Sequence, residues 1–123
     1  MKSLWVLTIL AVCMAEKLQL TVEELEQYDG RNGKIYLACS GIVFDVSDSP
    51  TYQPKGSYSN FAGKDVTVAL AKYSFDKKWM TMKVEDADLT EAQLKSVEGW
   101  KEFFTEKYPI VGEIIASREK EDI

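Results

Sequence analysis

Tyr52 and Tyr58 stand with five residues between them in a stretch rich in proline and glycine, and Tyr108 directly follows Lys107. The chain carries six tyrosines and no histidine. Without imidazole, Ser-His-Asp and Cys-His catalysis, the commonest zinc sites and every histidine-held haem are excluded. No dinucleotide-binding GxGxxG, Walker A loop or HExxH sequence is present either. Glu85, Asp86 and Asp88 are near one another in sequence but lack the alternating ligands and closing glutamate of a calcium loop, so they read as solvated acids. Phenol chemistry remains. A free phenol ionises near pH 10, and trivalent iron or a neighbouring ammonium favours the phenolate, a hard anionic oxygen ligand. Tyrosine is one of the axial ligands haem iron accepts. Tyrosines also fill cores and interfaces, and residue type alone does not separate these roles.

Elements around those phenols must position them. With 123 residues, 46% apolar and 28% charged, the composition is that of one globular domain, and no repeat or long linker divides it. We read that domain over residues 16–123, after a signal peptide over residues 1–15. Met1-Lys2 makes a positive start, Leu4 to Met14 is apolar apart from Thr8, and Cys13 and Ala15 are small residues suited to cleavage. The run is shorter than the roughly 20 apolar residues that span a bilayer. The mature chain is therefore expected to have no stable membrane span, and to be secreted or kept in the lumen of the secretory pathway. The alternative is an uncleaved, short N-terminal membrane anchor in the endoplasmic reticulum. Cleavage leaves Cys39 as the one thiol, expected to be buried in a strand with no disulfide partner. A net charge of -5, with 15 basic residues scattered singly or in pairs, argues against nucleic acid and anionic membrane as partners.

Local signals give an order of elements. Thr21-Val22-Glu23-Glu24 has the form of a capping box and predicts a short helix to about Tyr28. Asp29-Gly30 and Asn32-Gly33 mark turns, Ile35 to Cys39 and Ile42 to Val46 read as strands, and Ser40-Gly41 suits the two-residue hairpin between them. From Asp48 to Gly63 proline and glycine break regular structure, yet Tyr52, Tyr58 and Phe61 sit there. An aromatic loop suggests a pocket wall. Asp65 to Lys72 reads as a helix. Thr90-Glu91-Ala92-Gln93 opens another that runs to about Tyr108, with Leu94, Val97, Trp100 and Phe104 on one stripe, and Pro109 stops it. Ile110 to Ile115 reads as extended around Gly112. Short helices with a few strands and no regular βαβ alternation predict an α+β fold.

These segments carry a resemblance. Leu20-Thr21-Val22-Glu23-Glu24-Leu25, Ile35-Tyr36-Leu37-Ala38 and Gly41-Ile42-Val43-Phe44-Asp45-Val46 resemble, in order, the opening of cytochrome b5-like domains. Tyr52-Gln53-Pro54-Lys55-Gly56-Ser57-Tyr58, then Phe61-Ala62-Gly63-Lys64-Asp65, resembles the Tyr-Gly-Pro-x-Gly-x-Tyr and Phe-Ala-Gly-Arg/Lys-Asp motif of the membrane-associated progesterone receptor family. Leu89-Thr90, Trp100, Phe104 and Lys107-Tyr108-Pro109-Ile110-Val111-Gly112 match that family's helix and its Lys-Tyr-x-x-Val-Gly segment. Gln53 replaces a frequent glycine and Ser57 a frequent proline, so the loop backbone is expected to differ locally.

The resemblance implies a cytochrome b5-like haem/steroid-binding fold, a small mixed sheet with short helices around an open pocket. It implies non-covalent ferric haem b with Tyr58 as axial iron ligand, and Tyr52, Lys107 and Tyr108 bonding to the site or lining it. With the apolar start, the chain is similar to the secreted neudesin/neuferricin-like branch. The implied role is non-enzymatic: haem-dependent protein interaction, signalling or haem handling, with a protein partner or a haem-mediated homodimer on the open face. The alternative is an extracellular signalling or interaction protein with a sterol-like ligand or a vestigial pocket. An oxidoreductase reading is disfavoured because no histidine acid or base is available.

Overall fold

The computed structural model describes residues 17–80 and 82–116; the expected signal peptide over 1–15 lies outside them. Among the described residues, three α-helices precede the long one: α1 (Val22–Leu25), α2 (Thr67–Lys72) and α3 (Lys77–Met80), with α4 at Glu91–Lys107. The strands are β1 (Leu18–Leu20), β2 (Tyr36–Cys39), β3 (Ile42–Asp45) and β4 (Ile110–Ile114). They form one mixed sheet in the order β1-β4-β3-β2. β1 and β4 are parallel, and the other two pairs are antiparallel. The α+β expectation holds. Among the described residues, no helix is long and apolar enough to cross a membrane.

Local chemistry accounts for most boundaries. At α1 the Thr21 N–H donates to the Glu24 carboxylate at 2.9 Å, and the Glu24 N–H donates to the Thr21 hydroxyl at 3.1 Å. Thr90 and Gln93 repeat the exchange at α4, at 3.0 and 3.1 Å, so both boxes supply partners to N–H groups that a helix start leaves unpaired. Ser40 and Gly41 turn the β2–β3 hairpin with φ of 55° and 82°, the two left-handed residues a type I′ turn requires. The Asp65 carboxylate accepts from the Thr67 N–H at 3.2 Å and its hydroxyl at 2.6 Å, so α2 begins two residues later than the sequence suggests.

The period-2 alternation of the strands divides the core. Leu37, Cys39 and Phe44 face α2 and α4, meeting Val66, Leu70 and Phe104. Tyr36, Ala38 and Val43 face the other way, onto Leu20 and Leu25. The Phe44 and Phe104 rings lie 5.4 Å apart in the larger cluster. Two expectations need correction. Leu94 is exposed, so the buried stripe of α4 starts at Val97. Phe61 packs into the core under the loop and does not form the pocket wall. β1 and α3 carried no sequence signal, being only three and four residues long.

Cys39 is fully buried, as expected. Burial, reinforced by the carboxylates of Asp65 and Glu98, pushes its thiol up to about 12 from an ordinary 9.0. The buried thiol stays protonated and unreactive at neutral pH.

Candidate functional site

The loop between β3 and α2 is tied down residue by residue. Pro50 starts a 3-10 turn, Pro50–Tyr52, with the fixed φ that suits a first position. The Tyr58 N–H then donates to the Thr51 carbonyl at 3.0 Å and the Gly56 N–H to the Gln53 carbonyl at 2.7 Å. The Gln53 side-chain amide donates to the Ser47 carbonyl at 2.6 Å. A second 3-10 turn, Ser59–Phe61, leads the chain back along β2, where the Gly63 N–H bonds the Tyr36 carbonyl at 2.8 Å and the Val66 N–H the Ala38 carbonyl at 2.8 Å. The loop thus holds Tyr52 and Tyr58 against the core, their ring centroids 6.3 Å apart.

The end of α4 meets that loop. The Tyr108 N–H still donates to the Phe104 carbonyl at 2.9 Å, and the Tyr108 hydroxyl reaches Ser49 Oγ at 3.4 Å. Its ring stands edge-on to Tyr52 at 6.2 Å. Lys107 places its ammonium 5.3 Å from the Phe103 ring and 5.7 Å from that of Tyr108. A cleft of about 550 Å³ opens between loop and helix, lined by all four expected residues: Tyr52, Tyr58, Lys107 and Tyr108. Its size is within the range of about 300–1,000 Å³ typical of small-molecule and cofactor sites.

The tyrosines are not equivalent. Tyr52 is 5% exposed, and burial above all, then Tyr108 and Tyr58 beside it, raises its phenol well above the ordinary value of 10.0. It is therefore held protonated, with its ring packed edge-on against Tyr108. Tyr58 is half-buried at the cleft wall, with Phe75 packed 5.2 Å from its ring. Three further aromatic residues of the lining were not singled out as site residues in the sequence: Tyr73, Trp100 and Phe103. Trp100, Phe103 and Lys107 share one helical face by the i, i+3, i+7 rule, a stripe the sequence does show beside the Val97–Phe104 core stripe. Tyr73 has no such periodic signal.

Both raised groups fix the sign of an alkaline effect. Cys39 and Tyr52 hold their protons more tightly folded than unfolded, so the unfolded state binds fewer protons once pH exceeds the ordinary 9.0 and 10.0. Stability is therefore expected to be complete below about pH 9 and to fall above it, by up to about 1.4 kcal/mol per pH unit for each ionising group. Urea unfolding between pH 8 and pH 11 checks this, and Cys39→Ala should remove the part that begins near pH 9. A flat profile would show that neither group is shielded.

A small α+β module in which Tyr52, Tyr58 and Tyr108 wall an open cleft beside Lys107 has the geometry of a small-molecule site. Residues 21–115 match the Cytochrome b5-like Heme/Steroid binding domain, and the chain belongs to that family. It is 41% identical over 108 residues to human membrane-associated progesterone receptor component 2, covering 85% of this chain and 48% of that protein. To the Cytochrome P450 regulator dap1 of Schizosaccharomyces pombe it is 39% identical, covering 80% of this chain and 64% of the relative. It spans all of Probable steroid-binding protein 3 of Arabidopsis thaliana at 37% identity, over 80% of its own length. The chain thus spans about half of the human relative and about two thirds of the yeast one. Among solved structures, an Arabidopsis thaliana protein described as having a cytochrome b5 like fold superposes with a TM-score of 0.73 at 36% identity, covering 82% of this chain and 94% of that one.

The donor set of the cleft fits haem iron held by oxygen. It offers phenols and an ammonium, the chain has no imidazole, and its described thiol is buried in β2. The aromatic lining suits a flat apolar macrocycle.

Proposed function

We propose that the domain binds haem b non-covalently in the ferric state, with the Tyr58 oxygen as axial ligand and Tyr52, Lys107 and Tyr108 supporting the site. The observation that carries this reading is the convergence of those four side chains, from one loop and one helix end, on a single cleft. Tyr73 and Tyr108 also line the cleft, and it is the resemblance of the Tyr52–Tyr58 loop to the family motif that assigns the axial oxygen to Tyr58. Lys107 lines the same cleft and brings a cation to it. When bound, haem would supply a Lewis-acidic iron, and the open side of the cleft would be where a partner makes contact. The role is non-enzymatic: haem-dependent contact with a protein or a second copy, signalling, or haem handling. We place it in the secretory lumen or outside the cell on the strength of the apolar start of the sequence, with a neudesin-like secreted relationship.

Equilibrium dialysis of haemin and of a labelled steroid against the same sample tests the ligand. Haemin retention with steroid at background is expected; the reverse would favour the sterol-like reading that the relatives' names suggest. A hard anionic ligand also favours ferric over ferrous iron. Each tenfold preference lowers the one-electron midpoint by about 59 mV, so potentiometric titration should give a potential at least that far below unligated haem under the same conditions. A potential at or above it would contradict phenolate ligation.

A further inference from the structure

The outermost aromatic of the cleft is in a costly backbone state. Tyr73 follows α2: its N–H donates to the Leu70 carbonyl at 3.2 Å, and the Ser74 N–H donates to the Ala69 carbonyl at 3.1 Å. These are the two bonds of a Schellman corner, whose terminal residue must be left-handed and is usually glycine. Tyr73 sits there at φ 53° and ψ 46°. A Cβ crowds the backbone in that region, and for a bulky side chain the conformation is an outlier.

Packing does not repay this cost. The Tyr73 ring is 80% exposed, more than any other large hydrophobic among the described residues. It nevertheless borders the cleft together with Tyr58, Trp100 and Phe103. Phe75, two residues on and 52% exposed, lies against Tyr58. The corner after α2 therefore delivers Tyr73 to the cleft and Phe75 to the ring of Tyr58. Lys72 does not compete there, its ammonium being 5.1 Å from the Trp79 ring. Strain of this kind, unsupported by local packing, points to a role at a site.

We infer that Tyr73 is a ligand-retaining residue: the left-handed corner projects its ring over the edge of a flat aromatic ligand in the cleft and slows that ligand's release. The inference rests on the haem reading above and adds a residue to it. Glycine at this corner would relieve the backbone and remove the ring, so stability and retention should move in opposite directions.

The test loads wild type, Tyr73→Gly and Tyr73→Phe with haemin and follows transfer to excess apomyoglobin, with melting of each apo form alongside. Tyr73→Gly should release haem about tenfold faster, the loss of one aromatic contact, while its Tm stays equal or rises by up to about 4 °C. Tyr73→Phe should release at the wild-type rate. Equal release from all three, or a Tm of Tyr73→Gly lowered by more than about 4 °C, overturns the inference alone. Wild-type protein that takes up no haemin overturns the haem reading, and this inference with it.

Discussion

Tyr58→Phe is expected to keep the fold, abolish the phenolate-to-iron charge-transfer band of the haemin-loaded protein and weaken haem binding by at least about 100-fold. The substitution removes one oxygen and leaves the ring, whose contacts with Phe61 at 5.4 Å and Phe75 at 5.2 Å are those of the wild type. Thermal unfolding of the apo form should therefore be nearly unchanged. Tyr52 cannot take over, because it is 5% exposed and burial holds it protonated. Absorption spectra with a haemin titration decide the matter. A charge-transfer band that survives in Tyr58→Phe would assign the iron to another residue.

Gly56→Ala is expected to damage both stability and the site. A Cβ at position 56 would fall inside van der Waals contact with the carbonyl oxygens of Thr51 and Pro50. Both obstacles are backbone and have no rotamer to move. The Thr51 carbonyl also accepts the Tyr58 N–H at 3.0 Å, so relief means splaying the turn that sets the two phenols 6.3 Å apart. Overpacking of this kind costs about 1–3 kcal/mol, a fall in Tm of about 4 °C or more for a domain of this size, and haem affinity should drop with it. Melting and haemin titration of the same preparation check both effects. Unaltered Tm and affinity would mean that this close approach does not shape the site.

Elements with a local cause were legible before the structure was known. The capping boxes at Thr21 and Thr90 both form as their spacing requires, and Ser40-Gly41 makes the hairpin that its residue types suit. The Tyr52–Tyr58 loop and the Lys107-Tyr108 pair were singled out by their resemblance to the family motif, and the fold brings them together. What could not be read has a non-local cause. β1 exists because Leu18 to Leu20 pair with Gly112 to Ile114 at the far end of the domain, and three residues carry no usable alternation. Leu94 fits the α4 stripe by periodicity but lies beyond the edge of the core that α4 covers, and is exposed. Tyr73 was missed because its place is set by the left-handed end of α2, which residue type argues against. The rim of a cleft is built from such exceptions, where propensity yields to a role.

Iron itself gives the most direct test. In crystals of the haemin-loaded protein, data at the iron absorption edge should show one anomalous peak in the cleft between the β3–α2 loop and α4, bonded to the oxygen of Tyr58. An iron peak bonded to another side chain, or a porphyrin lying outside that cleft, would contradict the account.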